Sequence, residues 1–444
     1  MKERTFWHAV VINGQTGLGN RKNIMKTTKS ICLTVAIVTG AIGSASGEQF
    51  RSDINPAMQY YQAFLVAPDL SQADRDYLFA KEWRWQKLPE RFGELVGRYD
   101  NQLKLVRQAA QQTVPCDWGI DMSPGPATLL PHLAQVKGIV QATRLRVLWL
   151  LQNGRQADAR DDLLAAFTLG RNSSRDGTLI SALVQIAVEN IVYATVAENF
   201  YRFSPETLKQ LVDGFDAAPP RRTMADCTPT EKLFFLDWLA NGIVELQKEN
   251  PGDEAKVMAG VKELLSYLDV PEEGQANQAP LNRSEQVLKA AGGTSDGVLN
   301  LLRDMEPLYQ RLAVILALPH GEFEEQAKEF SARIIQSQNP LVSIGFPAFE
   351  KARHREFVIM VKLAMVRAAV EHRLHGDAGL QSVTDPCGQG PFTFERFVFN
   401  GVDRGFELKS SYGPGGFPEV LIFSEMNGPP FFIDGQRAGQ ALPK

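Results

Sequence analysis

The sequence predicts a mainly α-helical protein, in which packed helix hairpins form a TPR-like, α–α superhelical body with a small antiparallel β region at its C-terminus. Between residues 128 and 202, apolar side chains recur at three- and four-residue steps, the period of helices with a buried face. After residue 379 this period ends, and phenylalanine and glycine become dense. With 444 residues and 44% hydrophobic content, the chain can bury a sizeable core.

Two helices joined by a tight turn begin the central block. The first is predicted over Leu133–Gln152, and Gly154 suits the left-handed conformation that ends helices. The second follows with Ala159, Ala166 and Phe167 along one stripe. This order of a turn glycine and small residues resembles one tetratricopeptide (TPR) hairpin, in which alanines let the helices approach closely. An array needs at least three related units, so a single TPR-like hairpin is predicted.

The third helix, predicted over Thr178–Tyr201, is apolar on nearly every side and should lie at the centre of the body. Its interior also carries Gln185 and Glu189, four residues apart on one face, and a charge at mid-bilayer would be costly, so no membrane span is predicted here. The two side chains form a polar pocket, a solvent-facing strip or a buried structural pair. Three basic residues could satisfy such a pair: Arg144, Arg146 and Arg171.

Helix start signals place the remaining helices in order. Asn55 and Ser204 are capping residues followed by proline, a combination typical of first turns. Residues 269–296 are polar and rich in Pro, Gly, Gln and Asn, which predicts a loop with at most a short helix over 285–291. Before the central block, helices are predicted over 56–67 and 89–112, with another that begins at residue 71. After it, one helix is predicted to begin at residue 205, and others span 229–249, 253–268, 297–318, 322–337 and 348–375.

Charge and composition exclude several classes of protein. The net charge is −4, from 47 basic and 51 acidic residues, and no basic stripe with interleaved aromatic residues is present. This balance argues against a nucleic-acid partner. The composition is also too apolar for a largely disordered chain.

The N-terminal region has the three-part layout of a secretory signal. A short basic region, Met25–Lys29, precedes the apolar run Ile31–Ile42 and the small residues of Gly43–Gly47. We therefore expect the true start at Met25, cleavage after Gly47, a periplasmic or extracellular location and no transmembrane span in the mature protein. An uncleaved anchor is the alternative. The predicted organisation is an upstream segment and signal (1–47), a helical body (48–378) and a β-rich tail (379–444).

The cysteine and histidine patterns predict no metal site and no cofactor. After signal removal the chain keeps Cys116, Cys227 and Cys387, which allow one disulfide of undetermined pairing and are too widely spaced for a zinc knuckle. His372 and His375 lie one helical turn apart, but the arginines around them raise the local positive charge and disfavour a cation.

The loop over 113–132 is the best sequence candidate for a binding surface, because loops carry sites more often than helices do. It holds Asp117, Trp118 and Asp121, and His132 follows one turn into the next helix. Two carboxylates and an imidazole could support acid–base chemistry. The chain contains no recognisable catalytic signature, so we treat these residues, together with Gln185 and Glu189, as candidates for binding.

The C-terminal region contains a second resemblance. The segments Asp385–Gly388, Pro391–Phe394, Gly405–Ser410 and Tyr412–Gly413 resemble the C-terminal β region of type II secretion major pseudopilins, with its Asp-Pro-x-Gly, Pro-aromatic-x-aromatic and Gly-x-aromatic-x-Leu-x-Ser pattern. The resemblance implies short antiparallel strands, and Asn400-Gly401 is itself a strong turn signal. It covers about thirty residues, and Gly413–Gly416 lacks the carboxylates of a pseudopilin calcium site.

Three functional hypotheses follow. The helical body, with the segment Gly170–Ile180 and this tail, is similar to a class of exported bacterial helical proteins, which implies an envelope location but no activity. The leading hypothesis is a non-catalytic interaction scaffold with a protein partner in the cell envelope. The second is a hydrolase that uses carboxylates and His132 near the 113–132 loop. The third, suggested by the tail, is an accessory subunit of an envelope secretion or pilus-like machine.

Overall fold

A computed structural model describes residues 53–80, 83, 86–269, 282–399, 401–413, 416–424, 432–433 and 436–437. The fold is mainly α-helical with a small antiparallel sheet near the C-terminus, which confirms the predicted fold class. The predicted signal, with Met25 and the cleavage position, lies outside the described residues, as do residues 270–281 of the polar loop.

The helices are α1 Pro56–Leu65, α2 Gln72–Leu78, α3 Glu90–Gly97, α4 Asp100–Ala110, α5 His132–Gln152, α6 Gln156–Ser173, α7 Leu179–Glu198, α8 Pro205–Ala217, α9 Met224–Lys232, α10 Trp238–Glu249, α11 Glu254–Leu265, α12 Arg283–Ala290, α13 Ser295–Leu316, α14 His320–Ile335, α15 Pro340–Gly345, α16 Pro347–His375 and α17 Asp377–Gln381.

The helices α5 and α6 form an antiparallel hairpin with the predicted turn. Gly154 adopts φ +71°, and the amide of Arg155 donates to the carbonyl of Leu150 at 2.9 Å, which satisfies one of the last carbonyls of α5. Ala159 and Ala166 are fully buried between the helices. The close packing follows from these small side chains, while the TPR likeness of the hairpin stays a prediction.

The helix α7 lies at the centre of the body, in contact with α5, α6, α9 and α16 and with one strand of the sheet. Its apolar side chains belong to the large hydrophobic core that runs from α1 to the C-terminal strands. Among the described helices, α7 alone is long and apolar enough to cross a membrane, and 61% of its most apolar window is buried inside the protein. The apolar side chains on the different sides of α7 therefore pack against neighbouring helices.

The N-terminal helices belong to two hydrophobic clusters. The helices α1 and α4 pack into the large core, whereas α2 and α3 form a smaller cluster against Leu145 and Leu148 on the outer side of α5. The single helix predicted over 89–112 is interrupted at Arg98 and Tyr99, so α3 and α4 are separate. The Tyr99 ring packs against both clusters, a tertiary contact that helical periodicity does not reveal.

The helix predicted to begin at Pro229 begins earlier, at Met224. Thr223 and Asp226 form a reciprocal capping box that starts α9, and Pro229 is accommodated inside it. A π-helical turn, Leu233–Asp237, then joins α9 to α10. The short helices α15 and α17 have too few residues to show a helical period.

The sheet has the order β1–β2–β3, with β1 Thr393–Phe399, β2 Val402–Lys409 and β3 Val420–Ser424, all antiparallel. A separate antiparallel pair is formed by β4 Phe432–Ile433 and β5 Gln436–Arg437. Gly405 has φ +129°, and a Cβ there would lie 2.1 Å from the carbonyl oxygen of Phe423, so the position requires glycine. Phe406 and Phe423 pack on Phe200 at the end of α7, with centroid distances of 5.8 and 5.2 Å, which docks the sheet on the body.

Candidate functional site

Two sites have the polar and aromatic groups that function would require. The first, here called the polar centre, lies where α6 connects to α7 and consists of His132, Arg171, Ser174, Asp176, Ser181, Gln185, Glu189, Arg221 and Arg222. The second, here called the junction cleft, lies between the end of α16 and the sheet. It has a volume of about 370 Å³ and is lined by Phe200, Tyr201, His372, Arg373, Gly376, Phe394, Arg396, Asp403, Gly405 and Phe406.

Trp118 brings the 113–132 loop into the polar centre. Its ring stacks on His132 with a centroid distance of 4.4 Å and on Tyr60 at 5.6 Å. The indole Nε1–H donates to the carbonyl of Asn172 at 2.7 Å, and the Asn172 amide donates to the Tyr60 hydroxyl at 3.1 Å. Because all four side chains are buried, this contact fastens the loop to the end of α6.

His132 faces the connection between α6 and α7. Its Nε2 lies 3.2 Å from the Ser173 carbonyl oxygen and 3.5 Å from Asp176 Oδ2. Ser181 Oγ donates to the other carboxylate oxygen of Asp176, so the carboxylate stands between the imidazole and the hydroxyl. A nucleophilic triad needs the imidazole between the carboxylate and the hydroxyl, where it can take the proton. Because the carboxylate lies between the imidazole and the hydroxyl, and because His132 is fully buried, Ser181, His132 and Asp176 do not have the arrangement of a Ser-His-Asp triad.

Glu189 is fully buried, with relative exposure 0%, between two arginines. Its carboxylate oxygens lie 2.8 Å from Arg171 Nε and 2.5 Å from Arg221 Nη2. Burial lowers the pKa of Arg171, and the Glu189 carboxylate opposes this effect. The pairing supports the structural interpretation of Glu189, with Arg171 as one of the predicted partners.

Gln185, one helical turn before Glu189, is also fully buried and hydrogen-bonded. Its Oε1 accepts from Ser174 Oγ at 2.5 Å and from the Arg222 amide at 3.2 Å. Gln185 therefore ties α7 to the connection after α6 and to the extended segment before α9.

Asp117 and Asp121 lie apart from these groups, on exposed parts of their loop. Asp117 Oδ1 accepts from the Gly119 amide at 2.9 Å, and Asp121 accepts from the Ser123 amide and hydroxyl. These are local turns in which the side chain mimics a backbone acceptor. Of the residues predicted from sequence, the structure thus brings Trp118, His132, Gln185 and Glu189 to one connection and leaves the two aspartates at the surface.

Several residues of this region carry no distinctive sequence signal. Glu231 is partly buried and accepts from the Leu179 amide at 2.6 Å, at the first turn of α7. Burial raises the pKa of Glu231, and the Leu179 amide opposes the rise. Glu356 accepts from the Met224 amide at 3.1 Å and pairs with Arg353 at 2.6 Å. Glu231 meets the Leu179 amide, and Glu356 meets the Met224 amide, only through tertiary packing, whereas Arg353 and Glu356 are three residues apart and pair within α16.

The three described cysteines are free thiols and do not pair. Cys116 and Cys227 are buried, and burial raises the pKa of the Cys116 thiol to about 12. Such thiols are poor nucleophiles because the thiolate is the reactive form.

The junction cleft differs from the polar centre in being open to solvent. Its floor is a stack of Phe394 on Phe406, with a centroid distance of 5.0 Å and an interplanar angle of 23°. His372 tilts against both rings, and the Arg373 guanidinium lies 5.3 Å from the centroid of Tyr201. Arg396 on β1 pairs with Asp403 on β2 across the hairpin.

No group of three His, Cys, Asp or Glu side chains in the described part of the chain is placed to hold a metal ion. The chain matches no protein-family model, and neither a curated protein nor a solved structure is detectably similar to it.

Proposed function

We propose that this protein is a non-catalytic interaction scaffold of the cell envelope, and that it holds a protein partner at the junction cleft. One contrast carries the proposal. The acid–base groups of the polar centre are buried and paired with one another, whereas the junction cleft presents aromatic and cationic side chains to solvent. Aromatic residues and arginine are the side chains that protein interfaces favour.

Exposed apolar side chains beside the cleft add support. Val398 on β1 is 56% exposed, and Val402 at the start of β2 is 49% exposed. An edge strand with exposed apolar residues offers both backbone groups and side chains to a partner.

Photo-crosslinking tests the proposal in the full chain, expressed in cells that export it. A photoreactive amino acid replaces Val398 next to the cleft or, as a matched control, Val314 on α13, which is equally exposed at 55%. We expect a discrete protein adduct in envelope fractions from position 398 alone, reduced by excess unmodified protein. Equal adducts from both positions, or none from 398, would contradict the proposal.

The envelope location rests on the secretory layout of residues 25–47. Sequencing the N-terminus of the protein recovered from envelope fractions tests it. We expect the mature chain to begin at Glu48; recovery from the cytoplasm with residues 25–47 intact would contradict export.

A further inference from the structure

We infer that the junction cleft recognises an acidic peptide segment that places an aromatic side chain beside a carboxylate. The inference rests on the proposed function, since it gives the chemistry of the partner segment that the cleft would hold. Three features of the cleft support it: a partly exposed aromatic ring, an unequal number of guanidinium and carboxylate groups in the lining, and a small volume.

The aromatic stack of the cleft ends in a ring that remains partly exposed. Phe406 is buried against the helical body, whereas Phe394, stacked on it, is 36% exposed. Rings pack favourably in offset or edge-to-face arrangements. An aromatic side chain of the partner would extend this stack and remove the exposed face of Phe394 from water.

The cleft has more cations than anions. Arg373 is exposed, contacts the Tyr201 ring and has no carboxylate partner among the described residues. Arg396 pairs with Asp403, but these side chains are 74% and 43% exposed, and such surface pairs are weak. The lining thus contains two guanidinium groups and one carboxylate, and a planar guanidinium can bind a further carboxylate with two parallel hydrogen bonds.

The surroundings favour a single carboxylate over a more highly charged group. Asp377 Oδ1 lies 3.7 Å from His372 Nδ1, and the carbonyl end of α16 adds partial negative charge at Gly376. Both features repel a dianion such as a phosphoryl group more strongly than a carboxylate. The volume of about 370 Å³ is at the small end of the roughly 300–1,000 Å³ typical of ligand sites, which suits a short segment and not a folded domain.

Calorimetric titration of the mature protein with three peptides tests the inference. The probe is acetyl-Gly-Glu-Phe-Gly-amide, and its two controls replace glutamate with glutamine or phenylalanine with alanine. We expect the probe to bind, and each control to bind at least about tenfold more weakly. Equal binding of the glutamine peptide would overturn the inference, and so would equal binding of the alanine peptide.

Protein variants locate the binding. Arg373→Gln should weaken the probe about tenfold with an unchanged unfolding midpoint. Arg91→Gln is the matched control, because Arg91 is also an exposed arginine over a tyrosine ring, 4.6 Å from the centroid of Tyr77, but lies on α3. Unchanged probe binding by Arg373→Gln would overturn the inference.

The crosslinking experiment separates this inference from the proposed function. If position 398 forms its adduct but the protein does not prefer the acidic peptide, the peptide class is wrong and the scaffold proposal stands. If position 398 forms no adduct, the scaffold proposal itself is contradicted.

Discussion

The polar centre and the junction cleft both contain arginines and a histidine that packs on an aromatic ring, yet burial gives the two sites different roles. In the polar centre, Arg171 and Arg221 share the carboxylate of Glu189, and all three side chains are largely removed from water. In the cleft, Arg373 and Arg396 remain at the surface, and the lining includes one carboxylate, that of Asp403, which pairs with Arg396. A buried charge needs a fixed partner and so fastens helices together, whereas an exposed charge can exchange its partner. The comparison teaches that the residue type alone does not assign a site.

The largest expected effect is from removing the charge of Glu189. Glu189→Gln leaves Arg171 and Arg221 buried without a counterion, and we expect the free energy of unfolding to fall by about 3–5 kcal/mol. Urea denaturation measures it. The control is Asp213→Asn, which breaks an exposed pair with Lys209 on α8 and should leave the unfolding midpoint unchanged. A loss below about 1 kcal/mol for Glu189→Gln would show that the buried pair does not hold the fold together.

A smaller effect is expected at the loop anchor. Trp118→Phe removes the buried indole donor to the Asn172 carbonyl and should lower the free energy of unfolding by about 1–3 kcal/mol. The same denaturation experiment measures it. Probe binding at the cleft should be unchanged in conditions where the variant is folded; weaker binding would mean that the two sites are not independent.

The pH dependence of stability tests the burial of Glu231. Burial raises its pKa above the ordinary 4.5, so the folded state holds the proton more tightly than the unfolded state. Its contribution to stability is therefore complete below pH about 4.5 and is lost as the pH rises through the raised folded pKa. Glu231→Gln keeps an acceptor for the Leu179 amide, and we expect it to be more stable than the wild type at pH 7, with a flatter pH profile.

A steeper profile for Glu231→Gln, or a loss of stability at pH 7, would mean that the ionised carboxylate is favoured at the start of α7.

The smallest effect is expected at the exposed aspartates. Asp117→Ala and Asp121→Ala remove acceptors of local turns, and neither should change the unfolding midpoint noticeably or the crosslink at position 398. A lost crosslink in either variant would move the binding surface to the 113–132 loop.

Much of the helical body could be predicted from sequence because its signals are local. The apolarity of α7 indicated its burial, and the Asn-Gly turn indicated the β1–β2 hairpin. Arg171 was among the expected partners of Glu189, but Arg221 was not, because it reaches Glu189 only after the chain returns past α8. The interruption at Tyr99 likewise depends on two clusters that meet in three dimensions.

The junction cleft could not be predicted in the same way. Its residues come from the end of α7, the end of α16 and two strands, and none of these segments has a period or motif that marks a surface. The arginines near His372 and His375 are the reason that no metal is predicted there, whereas the packing of His372 on Phe394 and Phe406 depends on how the sheet docks.

Hydrogen exchange of the protein, with and without the acidic peptide, tests the division of roles most directly. Amides of residues 171–178 should exchange only through global unfolding, with or without peptide, because their contacts fasten α6 to α7. Amides of β1 should exchange faster in the free protein and slow down when the peptide binds. Rapid exchange of residues 171–178, or protection by the peptide there and not in β1, would contradict the account.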